Sequence, residues 1–339
     1  MQGGDPEMRG QGGPLKVEDY RTILPLTHQF VKAAQEAGFP FNPDLNGKQR
    51  SGVGYSQMTR RGRWRGSTAQ TFLREARKRP NLRIETEAQG GRLTFEGKRC
   101  TGVEFQRGGN VTRVTANREV IVCGGAINSP HILQISGIGP AAHLQGLGIP
   151  VVHDVPGVGA NLIDHFVIRV VHRVQGTRTV NEVARFPRVV PEIAKFFLTG
   201  KGALTFGVTT AQVFCDSREG LASPDLQLLF QPASTDPMKP GHLDSHPGMS
   251  CVVCVVKPDS RGTIMAASAD PFARPAIKPN YLSAHTDELA MLSGARHALE
   301  SASNNASTIT MAPLRVRAER CRQAQATPMA NTAVTAPMP

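Results

Sequence analysis

The chain has 339 residues, 40% of them hydrophobic, which is enough for two domains or for one large α/β unit with a sizeable core. Its formal charge of +12 attracts polyanions in general, but the basic residues are dispersed and aromatics are only 5%, which weighs against a nucleic-acid binder that stacks bases. No run of about 18 or more apolar residues marks a transmembrane segment, residues 1–14 lack the apolar core of a signal peptide, and six cysteines without framework spacing point to a reduced, cytoplasmic setting.

In chain order, the Gly-rich, polar residues 1–14 are expected to be disordered. A helix is predicted over 25–37, with Leu26, Phe30, Ala33, Ala34 and Ala37 on one face and Gly38 ending it. "STAQTFLREARKRPN" reads as a second helix, capped by Ser67 or Thr68, with Phe72, Leu73 and Ala76 as its apolar face and Pro80 as its stop. "LRIET" reads as a strand. "RLTFEG", "CTGVEF" and "VTRVTA" follow as short strands split by Gly97-Lys98 and Gly108-Gly109-Asn110, the punctuation of a β-meander. "EVIVC" is nearly all apolar, as in a strand covered on both faces of a parallel sheet. After residue 165 come the strand-like "FVIRVVHRV", "DLQLLFQPA", "SCVVCVV" and "TIMAAS", and a helix "VVPEIAKFFLTG" closed by Gly200. Mostly antiparallel strands with helices suggest an α+β region.

"CGGAINSPHILQISGIG", residues 123–139, is the most informative stretch. Asn128 or Ser129 can cap a helix, Pro130 fits its first position, and Gly137 can close it in left-handed geometry. Gly124 and Gly125 admit a close backbone approach next to a helix N-terminus. Two readings stand: a capped structural turn, or a turn that faces a cofactor. Gly137-Ile138-Gly139-Pro140-Ala141-Ala142 mimics a dinucleotide fingerprint but follows a helix, not a strand. Gly157-Val158-Gly159 also fails that pattern.

"RRGRWRG", residues 60–66, reads as a basic loop, with a nucleic-acid patch as the weaker alternative. Cys251 and Cys254 have redox or zinc spacing, but a strand puts them on opposite faces and no second ligand pair lies near. No metal site is expected. Asp164 and His165 would point apart on a strand, and His242 and His246 carry no role.

The residues "GAINSPHILQISGIG" are similar to the second signature of the glucose–methanol–choline (GMC) oxidoreductase family, with Gly125, Ala126, Ser129, Pro130, Ile132, Leu133, Ser136, Gly137, Ile138 and Gly139 all where the motif asks. "NPDLNGKQRSGVGYSQ", "FEGKRCTGVEF", "GIPVVHDVPGVGANLIDH" and "PAIKPNYLS" extend the resemblance over roughly residues 10–300, with most likeness to the choline dehydrogenase-like branch. The resemblance implies a mixed fold, α/β plus α+β. Residues 15–66 would be a connecting helix and loops. A partial FAD-binding, Rossmann-like domain with the β-meander would span 67–165. An antiparallel-sheet substrate domain would span 166–302, and 303–339 would be a disordered or aberrant tail. It implies FAD as cofactor, a small-molecule alcohol as substrate and an electron acceptor it does not specify. It places Gly90, Cys123, Gly124, Gly125 and Ala126 along the adenosine half of FAD, beside the signature positions Ser129, Pro130, Ser136, Gly137 and Gly139. The family's N-terminal FAD fingerprint and its C-terminal catalytic histidine have no match here, so no catalytic residue is assigned. Such a chain is expected to be inactive alone. The alternative is a non-catalytic remnant or interaction module without bound flavin.

Overall fold

The computed structural model describes residues 4–236, 238–239, 241–303 and, as backbone, Arg315–Glu319. Its elements run β1 (Lys16–Asp19), α1 (Pro25–Glu36), β2 (Gly52–Tyr55), β3 (Gln57–Arg61), β4 (Trp64–Arg65), α2 (Phe72–Ala76), β5 (Gln89–Glu96), β6 (Arg99–Arg107) and β7 (Asn110–Thr115). Then come α3 (Gly125–Ile135), β8 (Ile138–Gly139), α4 (Ala141–Gly146), β9 (His153–Asp154), β10 (Val167–Arg173), α5 (Val180–Val183) and α6 (Val189–Thr199). Last are β11 (Ala211–Cys215), β12 (Leu226–Gln231), β13 (Gly248–Val255), β14 (Thr263–Met265), β15 (Ala276–Lys278), α7 (His285–Ser303) and β16 (Arg315–Glu319). The described residues group into two units: those up to Glu75, those of His165–Lys257 and those from His285 onward form one, and Ala76–Asp164 with Pro258–Ala284 form the other.

The first unit is built on a six-stranded antiparallel sheet in the order β16-β10-β13-β12-β11-β2, against which α1 and α7 pack. All eight residues of β13 are buried, because strands flank it on both sides and α7 covers it. That burial explains its unbroken apolar run. Phe230 of β12 stacks on Phe30 of α1 with ring centroids 4.2 Å apart. Each such buried side chain contributes about 1.5–3 kcal/mol. At Gly294 of α7 an added Cβ would sit 2.4 Å from Val253 Cγ1, so only glycine lets the helix come this close to β13. Cys251 and Cys254 are both core thiols of that strand. Within residues 4–14, the Asp5 N–H donates to Asp44 Oδ2 at 2.9 Å and Arg9 pairs with the same carboxylate.

The second unit carries the antiparallel meander β5-β6-β7, with its turns at Gly97 and at Gly108-Gly109, all three in positive φ. The helix α3 packs on β5 and on β14, which pairs with β15. The parallel β8-β9 ladder is only two residue pairs long.

Four local expectations change. "EVIVC" pairs with no strand among the described residues, and Ile121 is 72% exposed. Its apolar content suits a sheet interior, but a strand exists only where a neighbour takes up its N–H and C=O groups. The helix after Ser67 shrinks to Phe72–Ala76 and buries none of its residues, so its apolar face gains no packing energy to extend it. "LRIET" forms no ladder strand. The stretch "RRGRWRG", expected as a loop, instead forms most of the β3-β4 hairpin, with Arg60 opposite Arg65 and Arg61 opposite Trp64, and α7 had no sequence expectation. Of the segment 303–339, only Ser303 and β16 lie inside the described residues, so the tail expectation falls mostly outside them.

Candidate functional site

The signature stretch folds as a helix that starts earlier than its caps suggest. α3 begins at Gly125 with φ +75°, so Pro130 lies inside it rather than at its first position. Pro130 has no N–H to give the carbonyl of Ala126, which loses its helical partner at this point. Neither Asn128 nor Ser129 caps the helix. The helix ends as expected: Gly137 has φ +89°, and a Cβ there would lie 2.5 Å from the Pro150 carbonyl oxygen.

Two polar residues of α3 tie it to its surroundings. Ser136 Oγ accepts from the Leu93 N–H at 2.8 Å and donates to the Ile132 carbonyl at 2.5 Å, joining helix to meander. Gln134 is completely buried. Its Nε2 donates to the Ile264 carbonyl at 2.9 Å and its Oε1 accepts from the Ala266 N–H at 2.8 Å. The amide thus acts as a one-residue extension of the β14 ladder. The Ile264 N–H in turn donates to the Gly159 carbonyl at 2.7 Å, and Leu162 and Gly262 exchange two backbone bonds. At Gly159, φ is +84° and a Cβ would lie 2.3 Å from both Gln134 Nε2 and the Ile264 oxygen. These contacts hold the loop 157–163 against α3.

Between loop and helix lies a cavity of about 360 Å³, lined by Ala126, Ser129, Pro130, Leu133, the whole of loop 157–163 and Ile264. Its walls are apolar side chains, backbone and the polar groups of Ser129 and Asn161, without any ionisable side chain. Asn161 holds φ +59°, a left-handed conformation that asparagine tolerates and other residues resist. Asp164, just past the loop, accepts a hydrogen bond from the Tyr281 hydroxyl.

Of the residues placed near the cofactor, Ala126 lines this cavity. Cys123, Gly124 and Gly125 approach it along the chain without lining it, and Gly90 sits in β5, paired with Phe105. Ser129 and Pro130 line it, whereas Ser136, Gly137 and Gly139 support α3 and its exit. The sequence reading singled out neither Gln134 nor loop 157–163 as a site. The signal was present in "GVGANLIDH", where glycines at 157 and 159 and the asparagine at 161 mark a backbone held in unusual conformations. His131 of α3 is buried as well, and burial lowers its proton affinity.

The cavity fits one end of FAD, by volume and by its apolar and backbone walls, but not the whole dinucleotide. Among the described residues no glycine-rich strand-to-helix turn supplies a pyrophosphate cradle.

Two family models match the chain, both described as GMC oxidoreductase, over residues 3–167 and 258–338. The second runs through most of the segment 303–339. An oxygen-dependent choline dehydrogenase of Brucella suis biovar 1 (strain 1330) is 37% identical over 291 residues, 85% of this chain and 52% of that protein. The mitochondrial choline dehydrogenase of Homo sapiens is 39% identical over 289 residues, 84% of this chain and 48% of that protein. The chain therefore spans about half the length of the curated relatives it matches. Among solved structures, an FAD-dependent oxidoreductase from Chaetomium thermophilum superposes with a TM-score of 0.79 at 22% identity, covering 91% of this chain and 60% of that one, which shows a shared fold. With both matched stretches carrying the same description, and with the signature residues built into α3 and its exit, the chain belongs to the GMC oxidoreductase family.

Proposed function

We propose that the chain forms part of an FAD-dependent oxidoreductase that oxidises a CH–OH donor, a small alcohol of the choline type, to an aldehyde. The observation that carries this reading is the cavity between α3 and loop 157–163, whose walls include the signature residues Ala126, Ser129 and Pro130. FAD, when bound, would accept the hydride of the alcohol. This chain's own residues would shape one wall of its site: Ala126, Ser129 and Pro130 from the helix, Gly159 and Asn161 from the loop. Gly90, Cys123, Gly124 and Gly125 would lie along the adenosine half. The domain reading of a partial flavin domain over 67–165 and a substrate domain over 166–302, in a cytoplasmic protein, belongs to this proposal, with residues 258–284 grouped with the flavin part and residues up to 75 with the substrate part.

One observation favours a narrower second reading, in which the chain alone is non-catalytic. Among the described residues the apolar segment 119–123 pairs with no strand, Ile121 is exposed, and no pyrophosphate cradle accompanies the cavity. Purified chain incubated with FAD, choline and a dye acceptor separates the two. Dye reduction with saturable flavin binding supports an autonomous enzyme. Weak flavin binding without turnover supports a chain that supplies only part of the site. No flavin binding at any concentration removes the flavin reading altogether.

A further inference from the structure

The helix α6, in the first unit, turns an apolar face outward. At about 100° per residue, Ile193, Val190, Phe197 and Leu198 spread over an arc of about 140°. All four are exposed, Phe197 by 56% and Leu198 by 82%. Phe196, on the inner side, is buried against Trp64 of the β3-β4 hairpin, with ring centroids 5.5 Å apart. The helix is therefore apolar toward its support and toward solvent alike, with Glu192, Lys195 and Thr199 as its polar strip. An ordinary surface helix reserves the outer face for polar groups.

The hairpin brings the basic cluster "RRGRWRG" beside this face. Arg63 Nη1 donates to the Phe197 carbonyl at 2.5 Å, and Arg60 Nη2 donates to the Gly200 carbonyl at 3.3 Å. Trp64 itself is 58% exposed. Arg63, Arg65, Lys195 and Lys201 are exposed and have no carboxylate partner among the described residues. The only acidic group of the helix, Glu192, accepts from the Ala203 N–H at 2.8 Å and is thus tied to the following turn. Most of the patch, α6 included, falls between the two stretches that the family models match, 3–167 and 258–338.

We infer that α6 and the β3-β4 hairpin dock the protein on the surface of an anionic phospholipid bilayer. An amphipathic helix that lies in the interface needs a Phe- and Leu-bearing face, cations at its border and an aromatic with a polar edge at headgroup depth. Phe197, Leu198, Val190 and Ile193 enter the acyl boundary. Trp64 sits at the headgroup level, where its ring is half apolar and its indole N–H stays hydrated. Arg63, Arg65, Lys195 and Lys201 meet the phosphates. The four cations border the apolar face, which a lipid surface satisfies and a neutral apolar partner does not. This inference is independent of the flavin site.

Trp64 is the only tryptophan of the chain, so its emission reports on this patch alone. The test adds vesicles of phosphatidylcholine with about one third phosphatidylserine to the full chain and follows flotation and Trp64 emission, with vesicles of pure phosphatidylcholine as the control. The expected result is flotation with anionic vesicles, a blue shift, and quenching by lipids brominated near the headgroup. Binding should weaken steeply between low and 0.5 M salt. Leu198→Glu with Phe197→Glu should lower binding about tenfold or more, since each removes an apolar side chain from the lipid phase. Arg63→Gln with Lys201→Gln should lower it while leaving the circular dichroism spectrum unchanged. Flotation without quenching of Trp64, equal binding to both vesicle types, or a Trp64 shift that follows protein concentration without lipid would each overturn the inference. The last would assign the face to a second copy of the chain.

Discussion

Replacing Gln134 by leucine removes a single amide and tests how the site is held. Gln134 is completely buried, and so nearly are its partners Ile264 and Ala266. The variant leaves a carbonyl and an N–H without partners, at a cost of about 1–3 kcal/mol each. Leucine is close in volume and avoids burying an amide, which returns about 1–2 kcal/mol. The net loss falls within about 0–5 kcal/mol and centres near ~2–3 kcal/mol, a sizeable share of the roughly 5–15 kcal/mol that holds a typical domain together. Urea unfolding gives the global loss, and hydrogen exchange at the Ala266 amide gives the local one. Exchange at Ala266 and in 157–163 should rise together, because the Ile264 N–H also holds the Gly159 carbonyl. An unfolding free energy within about 0.5 kcal/mol of the parent, with Ala266 still protected, would refute the clamp.

Three further outcomes follow from the same geometry. Gly159→Ala forces an L-residue into φ +84° and a Cβ against Gln134 and Ile264, so unfolding should become easier by about 2 kcal/mol or more; an unchanged midpoint would contradict the close approach. Burial pushes the Cys215 and Cys251 thiols up to about 12, so they should react with a thiol reagent only on unfolding, whereas the exposed Cys123 should react in the native protein; rapid native labelling of the first two would refute their burial. Burial also lowers the proton affinity of His131 and His172. Above their ordinary value of about 6.5 both folded and unfolded chains hold them neutral, and below it the unfolded chain takes up protons that the folded one resists. Stability should therefore fall as pH drops below about 6.5, less so in His172→Gln, and an identical pH slope in that variant would count against the assignment.

How much was legible in the sequence depended on whether the signal was local. The meander showed in its glycine turns, and β10, β12 and β13 showed in their apolar runs, because strand pattern and partner both lie within this chain. The family showed in ten ordered positions of α3 and its exit. The start of α3 did not, because the helix begins at Gly125 behind Gly124 at the cap position, without a side-chain cap, and Pro130 is tolerated inside it. "EVIVC" has the composition of a buried strand, but composition cannot say whether a neighbour is there to pair with it. Gln134 looked like an ordinary helix residue, since its partners lie 130 and 132 positions away. The patch on α6 was split the same way: "RRGRWRG" and "VVPEIAKFFLTG" were each visible, and only the fold joined them.

The most direct test of the flavin account is hydrogen exchange of the chain with and without near-saturating FAD. Protection confined to 126–133 and 157–163, with the amides of β13 unchanged, is the result expected if this cavity faces the flavin. Protection elsewhere, or none in those two segments while FAD is demonstrably bound, would contradict it.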